Sequence, residues 1–96
     1  MDSFCARRLK MLAGPARLTV LRLLLDGPQR VAELNRKLKL DQSLLSHHLK
    51  ALRKEGLVCA TRDGKFMRYQ LAPEVRHHSG HAIDLGCCVL SFKKHN

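Results

Sequence analysis

Residues 40–56 read LDQSLLSHHLKALRKEG. Leu45, Leu49 and Leu52 recur at i, i+4 and i+7 and form one apolar stripe on a helix. Ser43, Ser46, His47, Lys50 and Lys54 fall on another face, at i, i+3, i+4, i+7 and i+11. Asp41 is placed to cap the first turn through its carboxylate. Gly56 falls where the helix should end, at the position that favours a left-handed residue. The helix therefore has an apolar back and a front of short hydrogen-bonding groups grading into positive charge. Such a helix fits the major groove of duplex DNA, with the short groups near base edges and the lysines near phosphates. A solvated surface helix would carry the same face, so the neighbouring elements decide.

Upstream, residues 30–39 (RVAELNRKLK) predict a short helix with Val31, Leu34 and Leu38 at i, i+3 and i+7. Only Leu40 and Asp41 separate it from the next helix, which makes a helix-turn-helix unit. The turn, Lys39-Leu40-Asp41, has no glycine. Residues 15–26 (PARLTVLRLLLD) are apolar around most of a helix and predict the central core helix, started by Pro15 and stopped by Gly27-Pro28. Residues 3–13 predict a first helix, with Phe4, Met11 and Leu12 on its apolar side and Cys5 in its first turn. Downstream of Gly56 the period changes to two. Residues 57–61 and 66–71 predict strands around Asp63-Gly64, a hairpin signal, with Arg62, Lys65 and Arg68 near the tip. A basic hairpin after a helix-turn-helix is a wing, able to reach phosphates or the minor groove.

The charge agrees. The chain of 96 residues carries a formal net charge of +10, which calls for a polyanionic partner. Residues 1–71 hold 15 Lys/Arg against 6 Asp/Glu, and residues 72–96 hold 3 against 2, so the basic part is the helix-turn-helix and wing. Aromatics are few, which disfavours the stacking platforms of single-strand and RNA binders. No run approaches the roughly 20 apolar residues of a membrane span, and no signal peptide follows the early arginines. The expected compartment is the cytoplasm, where four cysteines are better read as ligands or redox groups than as structural disulfides.

Three stretches, residues 9–24 (LKMLAGPARLTVLRLL), 40–58 (LDQSLLSHHLKALRKEGLV) and the wing end Arg68-Tyr69-Gln70-Leu71, resemble the ArsR/SmtB family of bacterial winged-helix repressors. Together they run across about three-quarters of the chain. The expected fold is mainly α with a small β-hairpin: a winged helix-turn-helix of four helices, two strands, then a final helix or tail. Residues 1–72 form the DNA-binding part and residues 73–96 a dimerisation and sensing tail of the same domain. The resemblance implies a homodimer, paired through its first and last helices, on a two-fold symmetric operator that an inducer releases. Gly14 departs from the acidic residue common before that proline. The paired cysteines of the family's third helix are replaced by Glu33-Leu34-Asn35-Arg36-Lys37, so that metal site is absent, and the long uninterrupted last helix is missing.

The expected DNA-binding residues are Gln42, Ser43, Ser46 and His47 at base edges, with Lys50, Arg62, Lys65 and Arg68 on phosphates. The tail is dense in soft ligands: His77, His78, His81, Asp84, Cys87 and Cys88. His78, His81, Asp84 and Cys87, spaced by three, would share a helix face, although Gly80 and Gly86 weaken a helix there. A strand is equally open for residues 88–92, a helical start is expected at residues 73–76, and residues 93–96 are expected to fray. Cys87 and Cys88, with Cys5, His81 and Asp84, are the candidate metal ligands. Thiolates favour Cu(I), Zn(II) or Cd(II). As(III), an inducer class known in the family, would want a third thiolate, for which Cys5 is the candidate. Cys59 reads as a small hydrophobe, His48 as a structural residue at the edge of the buried stripe, and the tail histidines serve equally well as a solvated run. The rival functions are a redox- or reactive-sulfur-sensing repressor using the same cysteines and an inducer-free DNA-architectural protein. With no Cys-x-x-Cys, phosphate loop or paired acid and base, an enzyme is disfavoured.

Overall fold

The computed structural model describes residues 3–92. Helix α1 covers Ser3–Met11, α2 Pro15–Leu25, α3 Val31–Leu38 and α4 Gln42–Lys54. Strand β1 is Gln29–Arg30, β2 Val58–Asp63 and β3 Phe66–Leu71, and these form one antiparallel sheet in the order β1-β3-β2. A single 3₁₀ turn, Pro73–Val75, leads to a second, two-stranded sheet of β4 (Ala82–Asp84) and β5 (Val89–Ser91). The expected frayed end, residues 93–96, lies outside the described residues.

The leucine stripes meet in one core. Val20, Leu21 and Leu24 of α2, Leu34 of α3, and Leu45, Leu49 and Leu52 of α4 are all buried, with Leu57, Val58 and Leu71 from the wing's base. The end of α4 is fixed by the backbone. Gly56 has φ of 80°. Its N–H donates to the Arg53 carbonyl, and the Leu57 N–H donates to the Leu52 carbonyl (both 3.0 Å). That pair of bonds closes the helix and turns the chain into β2. At its start, Asp41 occupies the N-cap position but its side chain makes no capping bond, contrary to expectation.

Two further differences are local. The third helix begins one residue late because Arg30 pairs with Arg68 as strand β1, and Gln29 pairs with Tyr69. A two-residue strand carries no periodicity, so nothing in the pattern marks it. The wing turn is also shifted by one. Asp63 pairs with Phe66, leaving Gly64-Lys65 as the loop, with φ of 64° at Gly64, the glycine-first arrangement of a type II′ turn. In the glycine-free turn between α3 and α4, Lys39 itself adopts a left-handed φ of 54°. Asn35 supports it. Its carbonyl accepts the Lys39 N–H at 2.8 Å and its Oδ1 accepts the Leu40 N–H at 2.9 Å.

Among the described residues the tail forms no last α-helix. The helical start at residues 73–76 is only the 3₁₀ turn, and residues 82–91 fold back as a hairpin in the register Ala82–Ser91, Ile83–Leu90 and Asp84–Val89. The glycines that weaken a helix serve here as left-handed positions, with φ of 79° at Gly80 and 91° at Gly86. The tail is nonetheless part of the core, since Val75, Ile83 and Leu85 are fully buried. Arg76 ties it down by donating to the Leu24 and Leu25 carbonyls (3.0 and 3.1 Å) at the end of α2, where helix carbonyls run out of intrahelical partners.

Candidate nucleic-acid interface and cysteine cluster

Packing of Leu45, Leu49 and Leu52 against the core orients the opposite face of α4 outward. Gln42, Ser43, Ser46, His47 and Lys50 are all exposed on it. Arg62 and Lys65 are exposed on the wing. Arg68 is different: its Nη2 lies 2.8 Å from Asp63 Oδ2, and Arg30 Nη2 lies 3.0 Å from the same oxygen. Those bonds hold the Asp63 carboxyl below the usual carboxylate range. Arg68 therefore braces the wing and is only half-exposed, so its expected place among the phosphate-binding cations is weakened.

His48 is turned from this face toward α2. Its Nδ1 accepts from Arg17 Nε at 3.0 Å. Burial, then the Arg17 and His47 charges, lower its pKa from 6.5. A lowered pKa in the folded state means that protons bind the unfolded chain more readily. Stability from this pair is full above pH 6.5 and is lost as pH falls through the lowered value. The urea midpoint is expected to drop between pH 7.5 and pH 5, and a His48→Gln variant should show a smaller drop.

The second constellation joins the ends of the chain. Phe4, Cys5 and Arg8 of α1 face the loop at residues 85–88. Phe4 lies under Gly86, where an added Cβ would meet its ring at 3.4 Å. Cys5 and Cys87 are joined as a disulfide across 82 residues of sequence, where reduced thiols were expected. The Cys88 Sγ lies 3.9 Å from the sulfurs of both Cys5 and Cys87. The three sulfurs are mutually within 4.8 Å. His81 and Asp84 are not brought to them. Without a tail helix, the stripe of His78, His81, Asp84 and Cys87 does not exist. The Phe92 N–H donates to the His81 carbonyl, and the Asp84 carboxylate accepts the Gly86 N–H. Cys59 lies apart on β2, with its sulfur 3.6 Å from Gln70 Nε2.

Arg8 connects this cluster to α4. Its guanidinium donates to the Leu85 carbonyl at 3.0 Å and to the Glu55 carbonyl at 3.2 Å. Glu55 is the C-cap of α4, and its carboxylate also pairs with Arg7 at 2.9 Å. The Phe4 ring lies 4.5 Å from the Arg8 guanidinium. In sequence, Arg8 is one of several basic residues on a short helix and nothing sets it apart.

Residues 14–59 match the family described as bacterial regulatory protein, arsR family. The transcriptional regulator NmtR of Mycobacterium tuberculosis is 38% identical over 84 residues, covering 79% of this chain and 70% of that one. The chain belongs to the arsR family of bacterial regulatory proteins. It is a winged-helix, DNA-binding transcriptional regulator, with α4 in the recognition position and β2–β3 as the wing. The structure of reduced HlyU from Vibrio cholerae superposes with a TM-score of 0.69 at 38% identity, over 73% of this chain and 74% of that one. A homodimeric winged helix-turn-helix DNA-binding domain from Mycobacterium bovis gives 0.68 at 35% identity, over 74% and 66%. The chain spans 70% of NmtR and 59% of the curated V. cholerae activator HlyU, so it matches part of each. Among the described residues no helix is long and apolar enough to cross a membrane.

Proposed function

We propose that this regulator is a cytoplasmic, homodimeric repressor whose residues 1–72 hold a two-fold symmetric operator and whose residues 73–96 carry the sensor. Gln42, Ser43, Ser46 and His47 read base edges, while Lys50, Arg62 and Lys65 hold phosphates. Arg68 positions the wing tip. A thiophilic metal or metalloid acting on the cysteines releases the DNA. The observation that carries this reading is the gathering of Cys5, Cys87 and Cys88, from opposite ends of the chain, within 4.8 Å.

Once the Cys5–Cys87 bond is opened by two electrons and two protons from two cellular thiols, which leave joined as a disulfide, three thiols are gathered at one place. Among the described residues the cluster holds three sulfurs and no nitrogen or carboxylate ligand, a donor set that suits a soft, three-coordinate centre. On that donor set we rank As(III) first among the candidates, followed by Cd(II) and Cu(I), and Zn(II) last, because four-coordinate zinc would need a further ligand. Such a centre would supply a cross-link between α1 and the tail. Arg8, bonded to both Leu85 and the end of α4, is the route by which a shift of that joint reaches the recognition helix. The disulfide itself favours a second reading. An oxidant removes two electrons from the Cys5 and Cys87 thiols, two protons leave, and the bond that forms is the signal.

The test is fluorescence anisotropy on an operator selected from a random duplex library, at one fixed salt. Reduced wild type and a Cys87→Ser/Cys88→Ser variant are titrated with arsenite, Cd(II), Zn(II), Cu(I) and, separately, a thiol oxidant. Release of wild type alone by a near-stoichiometric thiophilic ion supports the first reading. Release by the oxidant alone supports the second. No release by any of them contradicts both and leaves an architectural protein.

A further inference from the structure

A helix in the major groove and a wing in the adjacent minor groove lie on either side of one sugar-phosphate strand. That strand has to cross the space between them. Here the space is an open cleft of about 820 Å³ bounded by α3, the first residue of α4 and the wing. Three cations line it: Arg30, which is paired with Asp63, and Arg36 on α3 and Lys65 at the wing turn, both exposed. Among the described residues neither Arg36 nor Lys65 has an ion-pair partner. Gln42, which opens the recognition helix, lies on the same wall.

Its floor is apolar. Phe66, Met67 and Tyr69 of β3 line it, and Phe66 is 55% exposed at the wing tip. Covering that exposed ring with an apolar sugar face would be favourable. The ring is also held in place. Arg30 lies 4.8 Å from its centroid and is itself fixed by Asp63, which Arg68 grips from the other strand. The bracing that engages Arg68 with Asp63 thus also presents Phe66 to the cleft.

We infer that this cleft is the seat of the DNA backbone strand, with Arg36 and Lys65 on phosphates and the Phe66 ring against a deoxyribose. Cations above an apolar floor match the amphipathic character of a sugar-phosphate strand. The contacts are to the backbone, so they carry affinity and register without reading sequence. This inference rests on the DNA-binding reading and adds Arg36 and Phe66 to it.

The two residue types leave different signatures in salt. A cation on a phosphate releases counterions, whereas a neutral ring does not. The experiment measures binding of wild type, Arg36→Gln, Lys65→Gln and Phe66→Ala to a labelled duplex of mixed sequence, over a series of salt concentrations. All three residues are exposed, and thermal melts followed by circular dichroism confirm that each variant is folded. Arg36→Gln and Lys65→Gln should each flatten the slope of log K against log salt by about 0.9 for every half-site engaged. Phe66→Ala should weaken binding about tenfold with the slope unchanged. Binding by Phe66→Ala within twofold of wild type, or an unaltered slope in Arg36→Gln, overturns the assignment. A wild type that binds no duplex at any salt instead overturns the DNA-binding reading on which it rests.

Discussion

Leu45→Ala is expected to destabilise the fold by about 2 to 5 kcal/mol, the range for truncating a buried leucine. Leu45 is fully buried in the recognition helix and packs into the core shared by α2, α3 and the wing base. A domain of this size has about 5 to 14 kcal/mol in total, so the loss takes much of its stability. Leu44, its neighbour, is 43% exposed, and Leu44→Ala should stay within about 0.5 kcal/mol of wild type. Urea unfolding followed by circular dichroism measures both. Equal midpoints for the two variants would mean that α4 is rotated from the orientation described, and the outward face would then be a different one.

The second large effect is on regulation. Arg8→Met keeps the length and apolar stem of a side chain that is 14% exposed but removes the bonds to Leu85 and Glu55. The expected variant binds operator as wild type does in the reduced state, and its response to a thiophilic ion falls to within about threefold of none, against the 5- to 150-fold of ordinary allosteric coupling. Arg7→Met is the control. Arg7 also pairs with Glu55, yet its side chain is 63% exposed and such pairs contribute little. Full response in Arg8→Met would place the coupling elsewhere, in the buried Val75–Ile83–Leu85 contacts of the tail.

The parts of the fold legible in the sequence are those with local causes. Leu45, Leu49 and Leu52 mark the recognition helix by spacing alone, and Gly56 and Gly64 mark the turns that end it and build the wing. The outward face of α4 follows once the stripe is known, and the family resemblance agrees with both. The tail was not legible because its order comes from distant partners. Arg76 is held by carbonyls of α2, Arg8 by Leu85 and Glu55, and Cys5 meets Cys87 across the whole chain. Three-residue strands give too short an alternation to outweigh a histidine and cysteine spacing that also fits a helix. The bracing of Arg68 by Asp63 was hidden for a related reason. A cation near a wing tip reads as a phosphate ligand until the carboxylate five residues away is seen to turn toward it.

In the proposed regulator cysteine chemistry and DNA binding are coupled through one molecule, and coupling between two sites is reciprocal. The most direct measurement titrates reduced protein with arsenite, following sulfur–arsenic absorption in the near ultraviolet, with and without saturating operator. Operator is expected to weaken arsenite binding by the same factor by which arsenite weakens operator binding. Superimposable arsenite curves would contradict that coupling, showing that the three sulfurs bind without reporting to the recognition helix.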